Sequence, residues 1–238
     1  MPAQNEGEEI PDFGNLLYIF KSILEQVSIE KKDKAFVIGI TGIDCSGKST
    51  FAGSLNRFFN TQGLRTQLIH LDDFHNPTAY RYSGDNQADN YFNKSFNIET
   101  IINELLIPIQ QKKIFLTTLT LLNLETDKYE LDKEYSISLD TVVIFEGVFL
   151  LRIELSPYLD MKIFLDIPFE ECIQRAWKRD SEDFVQRYGN RQELYTRYEE
   201  KYLPAQRKYL VEYPPQDTAD IIIDNSNPEF PLIAQSPS

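Results

Sequence analysis

Apolar residues follow two spacings along the chain, one typical of helices and one typical of buried strands. In residues 13–30 the apolar positions recur at helical spacing: Phe13, Leu16, Leu17, Phe20, Ile23, Leu24 and Val27. Short apolar runs predict strands at 35–40, 65–71, 141–147, 161–167 and 219–225. The last run is predicted to be the final strand. Strands that alternate with helices predict an α/β fold, with a mainly parallel sheet covered by helices on both faces.

Local signals place four further helices, the last of which follows a charged segment and ends at about Leu210, and they leave two regions less regular. One helix is expected after residue 47, a second begins at its cap Asn97, and a third carries Pro168 in its first turn. Residues 75–97 show no clear period and are rich in Asn, Asp, Tyr and Gly. Residues 114–140 predict extended segments or a hairpin.

Length and charge limit the class of protein. The chain has 238 residues, 42% of them hydrophobic, which is enough for one large domain or for two small ones. We expect a single domain over 13–225, after a disordered lead-in at 1–12 and before a C-terminal tail at 226–238. A net charge of −13 makes the chain a poor binder of nucleic acid or of anionic membranes.

Cysteine content and the N-terminus indicate the compartment. Two cysteines, Cys45 and Cys172, are too few for a disulfide framework. No apolar run approaches the roughly 20 residues that a membrane span needs. The acidic N-terminus lacks the basic and then apolar pattern of a signal peptide. We therefore predict a cytoplasmic protein, and the sequence leaves homo-oligomerisation open.

A glycine-rich loop follows the first predicted strand and is the strongest motif in the chain. Residues 42–49, called the phosphate loop below, match the pattern G-x-x-x-x-G-K-[ST]. Such a loop directs backbone N–H groups, and the positive end of the next helix, at phosphates. Lysine then reaches the β- and γ-phosphates, and the hydroxyl of Ser49 is a ligand for Mg²⁺. The predicted nucleotide-binding residues are Gly42, Ile43, Asp44, Cys45, Ser46, Gly47, Lys48, Ser49 and Thr50.

Acidic residues end two further predicted strands. Ligands of open α/β sheets bind outside the carboxyl ends of the strands, where Asp72, Asp73 and Glu146 should lie. Asp72 and Glu146 are therefore predicted to hold Mg²⁺ together with Ser49. An alcohol that accepts a phosphoryl group needs a carboxylate to take its proton, and Asp72 is the candidate base. Asp73 should point elsewhere, either to cap the next turn or to contact the acceptor.

A basic segment stands out in this acidic chain. Residues 175–208 hold nine basic and six acidic side chains, a net charge of +3 against −16 for the rest. Arginine forks suit phosphate oxygens, and a closing lid would bring them to the transferred group. We expect at least one of Arg179, Arg187 and Arg191 to contact phosphate.

Four segments together resemble the uridine kinase and phosphoribulokinase family of P-loop kinases, over about residues 36–224. They are "GITGIDCSGKST", "LDDFHNP", "VVIFEGVFLL" and "FLDIPFEECIQRAWKRD". The resemblance implies a P-loop NTPase fold with an arginine-bearing lid at about 180–191, and ATP or another NTP as donor with Mg²⁺. It also implies Asp72 as the base, Glu146 as a magnesium-associated acid and Arg179 as the arginine before the lid aspartate.

The segments that would bind the acceptor depart from the family pattern. Uridine kinases carry a Tyr-Asp pair and a histidine before the Glu-Gly strand, where this chain has Leu122-Asn123 and no histidine. Aromatic and acidic residues of 75–97 could form an acceptor wall, or could pack against the outside of the sheet. The predicted acceptor-binding residues are Asp73, His75, Tyr82 and Phe96, with Asp85, Tyr91 and Phe92 as further wall candidates.

The sequence favours a kinase that phosphorylates a hydroxyl of a small molecule, with uridine or cytidine as the first candidate acceptor. Nicotinamide riboside, pantothenate, a sugar or a sugar phosphate remain alternatives. A nucleotide-binding ATPase or switch without a small acceptor is the competing class. An Asn-Lys-x-Asp guanine motif and a Ser-Gly-Gly-Gln transporter signature are both absent from the sequence.

Overall fold

A six-stranded sheet forms the centre of the molecule in the computed structural model, which describes residues 13–31, 33–188 and 191–236. The side chains of 180–188 and 191 lie outside that description. Its strands are β1 (Phe36–Gly42), β2 (Thr66–His70), β5 (Val142–Glu146), β6 (Met161–Asp166), β7 (Ile221–Asp224) and β8 (Leu232–Gln235), whereas β3 (Ile114–Asn123) and β4 (Lys128–Ser138) form a separate two-stranded sheet. The order in the sheet is β2-β5-β1-β6-β7-β8, and the first five of these are parallel.

Helices cover both faces of this sheet. They are α1 (Leu17–Glu30), α2 (Lys48–Thr61), α3 (Thr78–Arg81), α4 (Gln87–Lys94), α5 (Ile98–Thr100), α6 (Ile107–Gln111), α7 (Phe169–Tyr188), α8 (Arg191–Arg197), α9 (Leu203–Glu212) and α10 (Pro215–Thr218). One π-helical segment, Ile101–Leu106, joins α5 to α6, and another, Tyr198–Tyr202, joins α8 to α9. A 3₁₀ turn, Leu71–Phe74, follows β2.

The core has two main layers, one on each side of the sheet, and a smaller apolar cluster lies between Ile43 of the phosphate loop and α7. Alternate side chains of β1 point to opposite faces, so that Ile38 packs against α1 and α2 while Val37 packs with the opposite layer. That second layer contains buried side chains of α4, the π segment before α6, and α9. The predicted α/β fold with a mainly parallel sheet is confirmed. Strands such as β1 and β5 are buried on both faces and therefore show the continuous apolar runs from which they were predicted.

The less regular regions are also defined. Residues 114–140 form an antiparallel hairpin of β3 and β4, which confirms one of the two predicted alternatives. Asn97 caps its helix, because its side chain accepts a hydrogen bond of 3.0 Å from the N–H of Thr100. Residues 75–97 contain the short helices α3 and α4, whose polar outer faces hide the period.

The prediction that the strand at 219–225 is the last one was wrong. β8 lies within the predicted tail and pairs antiparallel with β7 at the edge of the sheet. This strand has only four residues and follows Pro231. None of its side chains is fully buried, and that of Leu232 is 59% exposed. Such an edge strand has too few buried positions to produce a clear apolar run.

No described helix combines the length and apolar character that crossing a membrane requires.

Gly147, directly after β5, should tolerate no side chain. A Cβ there would lie 2.3 Å from the Cβ of Leu71, because the ends of β5 and β2 approach closely. We expect Gly147→Ala to lower the free energy of unfolding by about 1–3 kcal/mol, the usual cost of overpacking. Urea unfolding of both proteins measures the difference.

Gly53, inside α2, is the matched control. A Cβ at this position would meet no atom within 4 Å. Gly53→Ala should therefore raise the free energy of unfolding by about 0.5–1 kcal/mol, because alanine loses less backbone entropy in a helix. Equal effects of the two substitutions would contradict the close approach at Gly147.

Candidate active site

The carboxyl ends of β1, β2 and β5 meet at one edge of the sheet and open into a cavity of about 730 Å³. β1 runs into the phosphate loop, β2 into the turn that carries Asp72, and β5 ends at Glu146. The predicted site residues that line this cavity are Asp44, Cys45, Gly47, Lys48, Ser49, Thr50, Asp72, His75, Tyr82, Phe96, Glu146 and Arg179. The parallel arrangement therefore brings together groups that are over a hundred residues apart in sequence.

The phosphate loop has a backbone that depends on its glycines. Gly47 has a φ of +92° and precedes the first residue of α2, so the loop turns directly into the helix N-terminus. A Cβ at Gly42 would lie 2.5 Å from the carbonyl oxygen of Leu165. Cys45 also has a positive φ, +58°, which is rarely adopted by residues with a side chain. A segment held in such a shape is typical of a site that binds a ligand.

Side chains from other elements brace this loop. The Nδ2 group of Asn225 donates to the carbonyl oxygen of Ser46 at 2.7 Å. Arg175, on α7, donates from Nη2 to the carbonyl oxygens of Asn225 and Ser226 at 2.7 and 2.9 Å. The end of β7 and α7 thus hold the loop from outside. The sequence did not single out Asn225, because only the fold places it against the loop.

Lys48 and Ser49 occupy the first turn of α2. Lys48 Nζ donates to the carbonyl oxygen of Ile43 at 2.9 Å, so its side chain lies back over the loop. Ser49 Oγ donates to Glu146 Oε1 at 3.0 Å. Glu146 is only 4% exposed, and a buried carboxylate needs partners of this kind.

His70 is the second partner of Glu146 and was missed by the sequence analysis. Its Nδ1 lies 2.6 Å from Glu146 Oε1 and donates to it. This hydrogen bond raises the pKa of His70, against the opposing effect of burial. The two residues are direct neighbours across the β2–β5 register, which is visible only once the strand order is known.

The donor set beside the loop fits Mg²⁺. Ser49 and Glu146 present oxygen atoms 3.0 Å apart, and Asp72 lines the same cavity. Magnesium prefers hard oxygen ligands and is usually held by one or two carboxylates plus substrate phosphates. His70 would orient Glu146 from behind, as partners of ligating carboxylates commonly do.

Asp72 and Asp73 point in different directions, as predicted. Three residues make one turn of a 3₁₀ helix, so neighbouring side chains are about 120° apart. Asp72 is exposed and lines the cavity, whereas Asp73 forms an ion pair with Lys133 of β4 and lies outside the cavity lining. The structure therefore does not bring the predicted acceptor residue Asp73 to the cavity.

His75 and Phe96 form one aromatic side of the cavity. Their ring centroids are 4.7 Å apart, and their backbones form an isolated bridge. His75 Nδ1 donates to the carbonyl oxygen of Asp72 at 2.6 Å. Burial lowers the pKa of His75, so the imidazole is neutral near pH 7. Phe92, a further wall candidate, instead packs in the core against Phe149.

Asp44 and Tyr91 connect the phosphate loop to α4. Tyr91 Oη donates to Asp44 Oδ1 at 3.1 Å. Burial raises the pKa of the Asp44 carboxyl, while the charge of Lys48 opposes that increase. Burial likewise raises the pKa of Tyr91 well above its usual value, so the phenol stays protonated and donates.

The helices after β6 close the cavity on its last side. Arg179, Leu194, Arg197 and Tyr198 of α7, α8 and the following π segment line it. The predicted lid at about 180–191 falls on the end of α7 and the start of α8. The side chains of Arg187 and Arg191 lie outside the described residues, so their predicted phosphate contacts stay predictions.

Comparison with known proteins gives the family. The model of the phosphoribulokinase / uridine kinase family matches residues 37–229. A uridine kinase of Limosilactobacillus reuteri is 26% identical over 199 residues, which cover 83% of this chain and 86% of the relative.

Solved structures agree on the fold. The structure of a possible uridine kinase from Bacillus stearothermophilus superposes with a TM-score of 0.64 at 24% identity, over 87% of this chain and 98% of that one. D-glycerate 3-kinase from Cryptococcus neoformans does so with a TM-score of 0.58 at 14% identity, over 88% and 95%. The family match spans most of the chain and includes the phosphate loop, Asp72 and Glu146. The chain belongs to the phosphoribulokinase / uridine kinase family, whose members are P-loop kinases that act on small molecules.

Proposed function

We propose that this protein transfers the γ-phosphoryl group of ATP, or of another NTP, to a hydroxyl group of a small molecule. One observation carries the proposal: the phosphate loop and the Asp72 carboxylate line the same cavity. A donor bound on the loop and an acceptor beside Asp72 would then meet inside it. Family membership implies ATP as the donor, generally with Mg²⁺.

The donor would bind along the phosphate loop and the first turn of α2. The N–H groups at this helix end attract phosphates, and Lys48 can leave the Ile43 carbonyl to contact the β- and γ-phosphates. Ser49 and Glu146 would hold Mg²⁺, which supplies charge neutralisation for the phosphates when it is bound. A second cavity, of about 570 Å³ between Arg175 and Pro228, adjoins the loop and suits the nucleoside part of the donor.

In phosphoryl transfer the protein mainly positions the two substrates and stabilises the charge of the transferred group. The acceptor oxygen forms a bond to the γ-phosphorus while the bond to the β–γ bridging oxygen breaks, and ADP leaves. The hydroxyl proton goes to Asp72, whose carboxylate is exposed to the cavity. Arg179 lines the same cavity and would stabilise the negative charge of the transferred group.

The acceptor is the open part of the proposal. Uridine or cytidine is the first to test, because the relatives are named uridine kinases and because Tyr82 and Phe96 could stack on a base. Nicotinamide riboside, pantothenate, sugars and sugar phosphates are the alternatives. An ATPase or switch without an acceptor is less well supported, since the cavity extends beyond the phosphate loop to Tyr82 and Phe96.

Release of ADP from MgATP tests the proposal over a panel of these acceptors. We expect release to depend on one acceptor class and to be lost in Lys48→Ala. Release that is independent of every acceptor, with ATP binding that still requires Lys48, would contradict the kinase proposal and favour an ATPase or switch.

A further inference from the structure

A third carboxylate lines the cavity beside Asp72 and Glu146, and the proposed phosphoryl transfer gives it no role. Asp44 lies in the phosphate loop and is partly buried. Tyr91 Oη donates to both of its carboxylate oxygens, at 3.1 Å and 3.3 Å. One O–H group thus serves two oxygens, whereas a carboxylate can accept about four hydrogen bonds. The carboxylate therefore keeps capacity for a donor group of a ligand that enters the cavity.

The contacts of Asp44 favour a ligand other than the nucleotide for which it was predicted. Phosphate loops bind through backbone N–H groups that point at the phosphates. The N–H of Asp44 instead donates to Gln206 Oε1 of α9 at 3.2 Å. The negative charge of its carboxylate would also repel a triphosphate.

Tyr91 ties this carboxylate to the aromatic side of the cavity. Its ring, on α4, is 7% exposed, and the ring centroid lies 6.4 Å from that of Phe96 and 4.9 Å from that of Tyr202. Both of those rings line the cavity, and Phe96 lies against His75. This is the side of the cavity on which the acceptor is proposed to stack. The Asp44 carboxylate is therefore available to the acceptor.

Asp44 and Asp72 are close enough for their charges to interact. Burial raises the pKa of the Asp44 carboxyl, and the charge of Asp72 raises it further. The charge of Lys48 and the side chains of Tyr91 and Gln206 oppose this increase. A hydroxyl that donates to Asp44 would oppose it too, because a hydrogen bond to the charged form stabilises that form. Two carboxylates that interact across one cavity can therefore accept from two hydroxyls of the same molecule.

We propose that Asp44 is a specificity residue, whose carboxylate accepts a hydrogen bond from a second hydroxyl of the acceptor, one that is not phosphorylated. This inference rests on the proposed function and deepens it: Asp72 takes the proton of the reacting hydroxyl, and Asp44 holds the other hydroxyl. Tyr91 is a positioning residue, because it acts on the acceptor through Asp44. An acceptor without the second hydroxyl would leave the Asp44 carboxylate short of a donor in a closed site, which such sites reject.

Acceptor pairs that differ by one hydroxyl test this role directly. Uridine is compared with 2′-deoxyuridine and 3′-deoxyuridine, ribose with 2-deoxyribose, and glycerate with 3-hydroxypropionate, so that the primary hydroxyl is always kept. ADP release from MgATP gives kcat and KM for each compound. In the pair that is turned over, we expect the compound with the second hydroxyl to be preferred about tenfold or more in kcat/KM. That is the usual effect of one hydrogen bond to a charged group.

Two variants test which side chains cause the preference. Asp44→Asn keeps the shape of the side chain but removes its charge, whereas Tyr91→Phe removes only the O–H that holds Asp44. For the compound with the second hydroxyl, KM should rise about tenfold in Asp44→Asn and about threefold in Tyr91→Phe. KM for the deoxy compound and for ATP should change little, whereas a purely structural role would affect both members of a pair equally. Tyr91→Phe provides the same test if Asp44→Asn does not fold.

Tyr209→Phe is the matched control for Tyr91→Phe. Tyr209 is also buried, and both tyrosine rings pack against Phe149. Its Oη accepts a hydrogen bond of 2.9 Å from the N–H of Leu151, and it does not line the cavity. Loss of this hydroxyl should leave the preference for the second hydroxyl unchanged.

The outcomes separate this inference from the proposed function. Equal kcat/KM for both members of each pair, or an equal loss for both in Asp44→Asn, would overturn the role of Asp44 and leave the kinase intact. A higher Mg²⁺ requirement in Asp44→Asn would also overturn it and assign the carboxylate to the metal.

ADP release that responds to no acceptor would contradict the proposed function itself. Calorimetric binding of the same pairs then decides the role of Asp44. Binding that needs the second hydroxyl and is weakened in Asp44→Asn would support it, and no difference within any pair would overturn it.

Discussion

Asp72→Asn is expected to lower kcat about 100-fold or more while MgATP still binds, since a positioned general base contributes about that much. Asparagine keeps the shape of the side chain but cannot accept the hydroxyl proton. The carboxylate of Asp72 lines the cavity, and its backbone oxygen accepts a hydrogen bond from the partly buried imidazole of His75. Because the substitution leaves that backbone contact in place, the local structure should persist. Steady-state kinetics with the preferred acceptor, together with calorimetric binding of MgATP, provide the measurement.

The control for this variant is Asp89→Asn. Asp89 is an exposed acid on α4 that pairs with Lys208 and does not line the cavity. The same chemical change there should leave turnover close to that of the parent protein. Near-normal turnover in Asp72→Asn would remove Asp72 from the mechanism, whatever the acceptor proves to be.

Lys48→Ala should reduce kcat about 10²–10³-fold, the usual cost of removing one preorganised donor that stabilises transition-state charge. Lys48 lies in the first turn of α2 and donates a hydrogen bond to the Ile43 carbonyl oxygen. Its charge also opposes the increase in the pKa of Asp44 that burial causes. In the proposed function the lysine would act on the donor phosphates as well as on the loop, so we expect KM for ATP to rise as well.

Kinetics of Lys48→Ala need a check of folding for the same reason. Loss of the charge near Asp44 favours protonation of that buried carboxyl, so thermal unfolding is measured beside turnover. Lys21→Ala, at an exposed position of α1, removes the same charge away from the cavity and should change neither quantity appreciably. Unchanged turnover in Lys48→Ala would contradict the assignment of residues 42–49 as a phosphate-binding loop.

The fold could be predicted largely because its signals are local. Buried parallel strands produce continuous apolar runs, as in residues 142–146, and packed helices produce helical spacing, as in α1. The phosphate loop was recognised because its residues are adjacent in sequence and each has a chemical reason to be there. Strand-end acids followed from one topological rule, that parallel strands end at the same edge. Weakly patterned elements, such as β8 and α4, were missed because they bury too little to impose a period.

Sequence alone was sufficient for the parallel α/β architecture, the phosphate loop and the acids Asp72 and Glu146. Contacts between elements that are distant in sequence could not be predicted from the sequence. The pairing of His70 with Glu146 depends on strand register, and the hydrogen bond from Lys201 to Tyr82 depends on the packing of residue 82 against the π segment at 198–202. A side chain's partners across the fold are determined by how elements pack, and no local period encodes that packing. The side of the cavity formed by Tyr82, Lys201 and Tyr202 therefore became visible only in the folded chain.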